Sequence, residues 1–113
     1  MSALREARCE FSRGVGQLLV WAYANGYPVA LGEVERDSRV AALNAQKGVG
    51  NKNSLHILGL AVDLRLYKAG VYQELTPAYE PLGRYWEGLN PNFCWGGHFG
   101  DGNHFSRTWE GRK

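Results

Sequence analysis

SLHILGLAVDL, residues 54–64, combines a histidine, a strand-like run and an aspartate within eleven positions. Leucine or valine occupies every second position from 60 to 66, which is the pattern of a strand with one buried face. Asp63 falls on the other, less apolar face, where its carboxylate can line a cleft. The stretch therefore predicts a strand over residues 59–67 that carries Asp63, with His56 in a loop just before it.

A second stretch, GDGNHF at residues 100–105, supplies another aspartate and another histidine. Its glycines allow a tight turn around Asp101, and His104 then begins a short strand. Zinc in hydrolases takes three ligands from histidine and carboxylate and keeps a position for water, whose pKa falls from 15.7 to about 7. These residues suggest zinc ligation by His56, Asp63 and His104, with Asp101 exchanging protons with the water.

The same residues also fit a site without metal. A histidine beside a strand is often a hydrogen-bonded structural residue, and Asp-Gly-Asn can be a surface turn. Other divalent ions also accept two imidazoles and one carboxylate. The residues alone leave these alternatives open.

The first stretch nevertheless follows a fixed pattern, S-x-H-x-x-G-x-A-x-D, from Ser54 to Asp63. This pattern resembles the zinc peptidases of the D-Ala-D-Ala carboxypeptidase and L-Ala-D-Glu endopeptidase group, including VanX- and VanY-type enzymes and phage endolysins. The group shares its fold with the Hedgehog signalling domain. The resemblance implies an α+β fold in which helices pack on one side of a small antiparallel sheet.

The second stretch resembles the family block in which an acidic residue precedes a zinc-binding histidine. It follows a WGG turn at residues 95–97 that is similar to phage members. The resemblance implies that His56, Asp63 and His104 bind Zn²⁺ and that Asp101 is the catalytic base. Because the chain has DGNH where many relatives have tryptophan or proline before the histidine, His98 stays an alternative to His104 as a ligand. Otherwise His98 is expected to contact substrate.

Members of this family carry an arginine upstream of the first histidine, where it stabilises the oxyanion of the tetrahedral intermediate. The resemblance implies such an arginine in this chain. Arg36 occupies the matching place upstream of the first histidine, and Arg39 is close enough to compete for the role. The alternative is that Arg36 is a solvated surface cation. Ser54 is expected to bind substrate.

Length, charge and cysteine content indicate the domain organisation and the kinds of partner that the chain can have. With 113 residues the chain predicts a single domain, residues 1–113, without a separate wall-binding module. A net charge of +2 with scattered charges predicts no nucleic-acid surface. Cys9 and Cys94 have no metal-site spacing; a disulfide is possible, but free buried thiols are the prediction. No signal-peptide pattern or membrane span is visible, so we expect a protein that is made in the cytoplasm and has no stable membrane association. We expect it to be a monomer that acts in the periplasm or cell wall, or as a virion component.

The spacing of apolar residues, together with residues typical of helix caps and turns, predicts the remaining helices and strands. The helix over residues 77–89 carries an aromatic stripe, which is expected to be core rather than a sugar platform. The predicted elements are a helix over 3–25 that ends at Asn25-Gly26, a strand over 28–34, a helix over 37–46, a loop over 48–53, a hairpin at 68–70, and the helix 77–89 with Thr76 as N-cap.

The sequence thus predicts a zinc-dependent peptidase of peptidoglycan stem peptides, cutting between L-alanine and D-glutamate as a phage endolysin. Removal of a terminal D-alanine is the first alternative, and lysis argues against it because lysis requires cutting the crosslinked wall. A non-catalytic zinc-containing wall-binding domain is the second alternative. Asp101 argues against that one, because a site that only binds needs no base.

Overall fold

The computed structural model describes residues 2–32 and 55–113 of the chain. The helices are α1 (Ala3–Ala24) and α2 (Glu80–Leu89), with 3₁₀ turns at Thr76–Tyr79 and Gly96–Phe99. The strands are β1 (Val29–Leu31), β2 (Ala61–Lys68), β3 (Val71–Tyr72), β4 (Phe93–Trp95) and β5 (His104–Arg107). Within the described residues, no helix is long and apolar enough to cross a membrane.

Helix α1 begins and ends as the sequence predicts. The Ser2 side chain accepts a hydrogen bond from the backbone N–H of Arg5 at 3.2 Å, which satisfies one of the unpaired donors of the first turn. Its buried face consists of Ala7, Phe11, Gly14, Leu18 and Ala22, at helical spacing. The helix ends at Ala24 with Asn25 as its C-cap. The next residue, Gly26, has a φ of +81°, the left-handed conformation that commonly follows a helix end.

The described strands form one antiparallel sheet in the order β1-β2-β5-β4, and β3 pairs with the end of β2 as a hairpin. Strand β2 is central, because β1 pairs with its second half and β5 with its first half. The register sets Asp63 of β2 directly opposite His104 of β5. Sheet pairing therefore brings two of the predicted site residues together.

Both helices and the sheet share one aromatic core around Trp86 of α2. Its indole stacks on Phe93 at a centroid distance of 4.0 Å and meets Phe11 of α1 and Phe105 of β5 edge-on. The Trp86 indole N–H lies 3.2 Å from the carbonyl oxygen of Cys94 and 3.1 Å from that of Ser106. The α+β prediction is confirmed. Of the predicted aromatic stripe, Tyr79 and Trp86 are buried in the core, and Tyr85 is partly buried and packs against it.

The connection before α2 differs from the prediction. The α-helix begins at Glu80 after a 3₁₀ turn, and no side chain caps either segment, so Thr76 is not an N-cap. The Thr76 hydroxyl instead accepts the backbone N–H of Gly102 at 3.2 Å. A contact with a distant segment has replaced the local one that the sequence suggested.

One strand boundary and one cysteine differ from the prediction. Strand β2 starts at Ala61 rather than residue 59, because the backbone N–H of Leu60 closes a turn on the carbonyl of Leu55 at 3.0 Å. Both cysteines are free, but Cys9 is exposed, so its predicted burial was wrong; it lies on α1 outside the buried stripe. Cys94 is buried as expected. The predicted helix 37–46, the loop 48–53 and the end of the strand 28–34 lie outside the described residues.

Candidate metal site

Two histidines and one aspartate meet where β2 and β5 pair. His56 Nε2 lies 3.3 Å from Asp63 Oδ1, and His104 Nδ1 lies 3.7 Å from the same oxygen. One potential ligand atom from each residue falls within 4.8 Å of the other two. Both histidine rings are buried and Asp63 is partly exposed, so the cluster opens toward solvent on the Asp63 side.

His56 reaches the cluster through the turn at residues 55–59. The N–H of Gly59 donates to the carbonyl of His56 at 3.2 Å, and Leu55 is buried in the core beneath. Gly59 has a φ of +70°, a conformation in which any Cβ is strained, so the glycine of the S-x-H-x-x-G pattern is required by the turn. The turn folds His56 back over the first residues of β2.

The charge of Asp63 suits it to bind a cation. Burial alone would raise the pKa of its carboxyl, but hydrogen bonds and charge from His104 and His56 outweigh burial and lower that pKa from 3.8 to about 2. The carboxylate is therefore ionised throughout the physiological pH range. It can ligate a metal ion without first losing a proton.

His104 argues against a purely structural pair of histidines. Its Nε2 is buried and has no hydrogen-bond partner among the described residues. A structural histidine would use that atom, because a buried polar group without a partner costs about 1–3 kcal/mol. Two imidazoles and an ionised carboxylate are the donor set of catalytic zinc sites with three protein ligands, so the residues fit the metal.

Asp101 stands beside the cluster without belonging to it. Its Oδ2 is 4.0 Å from His104 Nδ1, and half of its side chain is exposed. The Asp101 N–H donates to the carbonyl of Gly96 at 2.8 Å, and the Asp101 carbonyl accepts from the His104 N–H at 3.1 Å. The carboxylate is thus held at the solvent side of the histidines, where a proton-transfer group would be useful.

His98 lies apart from the three clustered residues. Its Nε2 is 2.8 Å from both carboxylate oxygens of Glu87, and its ring meets the Trp95 indole edge-on. The alternative in which His98 replaces His104 in the cluster is therefore not the arrangement found. Sequence reasoning missed Glu87, which also accepts the backbone N–H of Trp95 at 2.9 Å. No sequence signal marks it, since it is one charged residue on an amphipathic helix.

Comparison with known proteins settles the family. A profile of D-alanyl-D-alanine carboxypeptidases matches residues 47–107, more than half of the chain. The chain belongs to this family. The prediction of a peptidase is confirmed, and the protein is a peptidoglycan peptidase. No curated protein matches the sequence significantly.

The fold of the peptidase is shared with a solved enzyme. The crystal structure of the Serratia marcescens L-Ala D-Glu endopeptidase ChiX superposes with a TM-score of 0.75 at 23% identity. The match covers 93% of this chain and 83% of that one. A likeness at this identity confirms the fold.

Three predicted site residues of the peptidase cannot be placed. Arg36, Arg39 and Ser54 lie outside the described residues, so oxyanion stabilisation and this part of substrate binding stay predictions. The described chain brings together His56, Asp63, His104 and Asp101, and no other group of three or more potential ligands is found within it.

Proposed function

We propose that the protein is a zinc-dependent L-alanyl-D-glutamate endopeptidase that cuts the stem peptides of peptidoglycan. The observation that carries the proposal is the His56–Asp63–His104 cluster with the half-exposed carboxylate of Asp101 at its side. The likeness in fold to ChiX, an L-Ala D-Glu endopeptidase, supports this choice of bond.

His56, Asp63 and His104 would hold the zinc ion. When bound, zinc polarises a scissile carbonyl and lowers the pKa of water, which supplies a nucleophile near neutral pH. Ionised Asp63 adds the negative charge that the two neutral imidazoles lack, which favours a divalent cation.

Asp101 carries the proton in this mechanism. Its carboxylate takes a proton as water attacks the carbonyl carbon of L-alanine, and returns it to the nitrogen of D-glutamate as the C–N bond breaks. The products are an L-alanine carboxylate and a free D-glutamate amine, so no other reactant is needed. Arg36 is assigned to the oxyanion and Ser54 to the substrate, as predicted from the sequence.

His98 is assigned to substrate contact at the edge of the site. It sits on the turn Gly96–Phe99, and the neighbouring Phe99 ring meets the His104 ring at a centroid distance of 5.8 Å. The His98 side chain is 59% exposed, so a substrate can reach it while Glu87 holds its ring.

Removal of terminal D-alanine is the second candidate, because the matching profile describes D-alanyl-D-alanine carboxypeptidases. The same cluster and the same base serve either bond, since both reactions hydrolyse an amide. We favour the endopeptidase and assign it to a phage endolysin, a monomer made in the cytoplasm that reaches the wall at lysis. Cutting the crosslinked wall fits that role better than trimming a terminal residue.

The decisive experiment incubates the purified protein with peptidoglycan sacculi and identifies the released ends by mass spectrometry. We expect new D-glutamate amino termini, which disappear with a chelator and return with zinc. Free D-alanine would establish the carboxypeptidase instead. No release from protein that holds one equivalent of zinc would refute both assignments.

Two histidine variants test the metal assignment without using activity. His104→Ala should lose bound zinc in elemental analysis, because it removes one of three ligands. His98→Ala is the matched control and should keep one equivalent. Full zinc content in His104→Ala would refute the proposed ligand set.

A further inference from the structure

The peptide group that joins Asp101 to Gly102 is held at both of its polar atoms. Its carbonyl, from Asp101, accepts the N–H of His104 at 3.1 Å. Its N–H, from Gly102, donates to the Thr76 hydroxyl at 3.2 Å. The Asp101 N–H is held as well, by the carbonyl of Gly96 at 2.8 Å, so hydrogen bonds on both sides of the Asp101 Cα restrict the position from which its side chain extends.

The next peptide group is also held by a side chain. The Trp95 indole N–H donates to the carbonyl of Gly102 at 2.7 Å, and this contact is buried. Gly102 lies so close to Thr76 that a Cβ built on it would be 2.6 Å from the Thr76 Cα. Only glycine permits this approach, which accounts for the glycine in the DGNH sequence.

Thr76 is itself held in place by the central strand. The hydroxyl of Tyr79, in the same 3₁₀ turn, accepts the N–H of Leu66 in β2 at 3.0 Å and donates to the carbonyl of Gln73 at 2.8 Å. Tyr79 is 1% exposed, so this connection is shielded from water. The turn that presents the Thr76 hydroxyl is thus tied to the strand that carries Asp63.

From this arrangement we propose that Thr76 is a positioning residue for Asp101. Its hydroxyl fixes the Asp101–Gly102 peptide relative to β2, so that the carboxylate that transfers the proton and the cluster that holds the metal keep a constant separation. The inference rests on the proposed function, because it assigns Thr76 a task only if Asp101 is the base. Thr76 touches neither the ligand cluster nor the reacting atoms in this scheme.

The physical basis is the sensitivity of proton transfer to geometry. A displacement of about 1 Å in a catalytic group can lower turnover about 100-fold, whereas ground-state substrate binding does not need that group. Loss of the Thr76 acceptor should therefore lower kcat and leave KM nearly constant. Zinc content should also stay constant, since the pairing of β5 with β2 and the turn at residues 55–59 hold the three proposed ligands in place.

The test compares Thr76→Val with Thr76→Ser. Valine has the shape of threonine but cannot accept the Gly102 N–H, and serine restores the hydroxyl. On a stem-peptide substrate we expect kcat of Thr76→Val to fall about 10- to 100-fold with KM within about twofold. Thr76→Ser should recover most of that loss. Thr108→Val, the same chemical change beyond the far end of β5, is the control and should match the wild type.

Amide hydrogen exchange gives a second readout that does not depend on activity. The Gly102 N–H should exchange faster in Thr76→Val than in the wild type, and Thr76→Ser should restore its protection. Wild-type kcat in Thr76→Val would overturn the proposal. Failure of serine to restore both kcat and Gly102 protection would also overturn it, because the hydroxyl would then not be the cause.

Asp101→Asn separates this inference from the proposed function. We expect Asp101→Asn to lower turnover to a small residual rate and Thr76→Val to leave that residual rate unchanged, since a positioning residue acts only through the group it positions. If Asp101→Asn is inactive and Thr76→Val is normal, only the positioning role fails. If Asp101→Asn keeps wild-type turnover, the assigned base fails, and the role of Thr76 fails with it.

Discussion

Gly96 is the position at which a single methyl group should disturb the site most. It begins the turn after β4, and its carbonyl accepts the Asp101 N–H at 2.8 Å. A Cβ built on Gly96 would lie 2.2 Å from the carbonyl oxygen of Asp101 and 2.7 Å from the Cβ of His104. Gly96→Ala therefore pushes directly on the proposed base and on one proposed ligand.

The size of the effect follows from these distances. Ordinary contact begins at 3.4 Å, so the Asp101 carbonyl must retreat by about 1.2 Å from an alanine at position 96. Overpacking costs about 1–3 kcal/mol, and loss of the Asp101 hydrogen bond adds about 1 kcal/mol. We expect a free energy of unfolding lower by about 2–4 kcal/mol and a Tm lower by about 10 °C or more. Because the displacement is about 1 Å, kcat should fall about 100-fold.

Urea unfolding and turnover on a stem peptide measure the two effects. Gly88→Ala is the matched control: Gly88 lies in α2, and a Cβ there meets nothing within 4 Å. That variant should be more stable by about 0.5–1 kcal/mol and fully active, because alanine favours a helix. If Gly96→Ala unfolds at the wild-type urea concentration and turns over at the wild-type rate, the close packing of this turn against Asp101 is refuted.

Two further predictions concern the core and the thiols. Trp86→Phe should lower the free energy of unfolding by about 2–4 kcal/mol, because the buried carbonyls of Cys94 and Ser106 lose their shared donor and a cavity remains. Trp109→Phe is the control, because Trp109 is only partly buried and packs against the edge of the core. Equal urea midpoints for the two variants would contradict this role of the Trp86 indole. Burial raises the pKa of the Cys94 thiol, which keeps it protonated and unreactive, whereas Cys9 is exposed. A thiol-alkylating reagent should therefore modify Cys9 in the folded protein and Cys94 only after denaturation, as peptide mass spectrometry would show; rapid native labelling of Cys94 would contradict its burial.

The local pattern of the sequence was sufficient for most of the elements. Helix α1 is recognisable from its apolar spacing and its Asn25-Gly26 end, since both are properties of a few neighbouring residues. The hairpin after β2 follows from its turn residues, and both Ala69 and Gly70 have positive φ, as a tight two-residue turn requires. Alternation along β2 placed Asp63 away from the leucines because side chains of a strand alternate by geometry.

Contacts between distant segments decided what the pattern could not. Thr76 precedes a helix and has the chemistry of an N-cap, yet its hydroxyl bonds to Gly102 because the turn before α2 packs against the segment that carries Asp101. From the sequence, His98 was an alternative metal ligand, but in the fold its ring contacts the carboxylate of Glu87, which lies on α2. Neither outcome has a local signature, since each depends on which surfaces the sheet brings together.

The sequence by itself supplied the residue types of the candidate site: two histidines and two aspartates whose spacing resembles that of a zinc peptidase family. Only the tertiary structure decided that they meet. Antiparallel pairing sets Asp63 opposite His104, the turn at residues 55–59 returns His56 to them, and the turn from Gly96 to Gly102 sets Asp101 beside them. The physical reason is that ligand type is a property of single residues, whereas the distance between ligands is a property of strand register and packing.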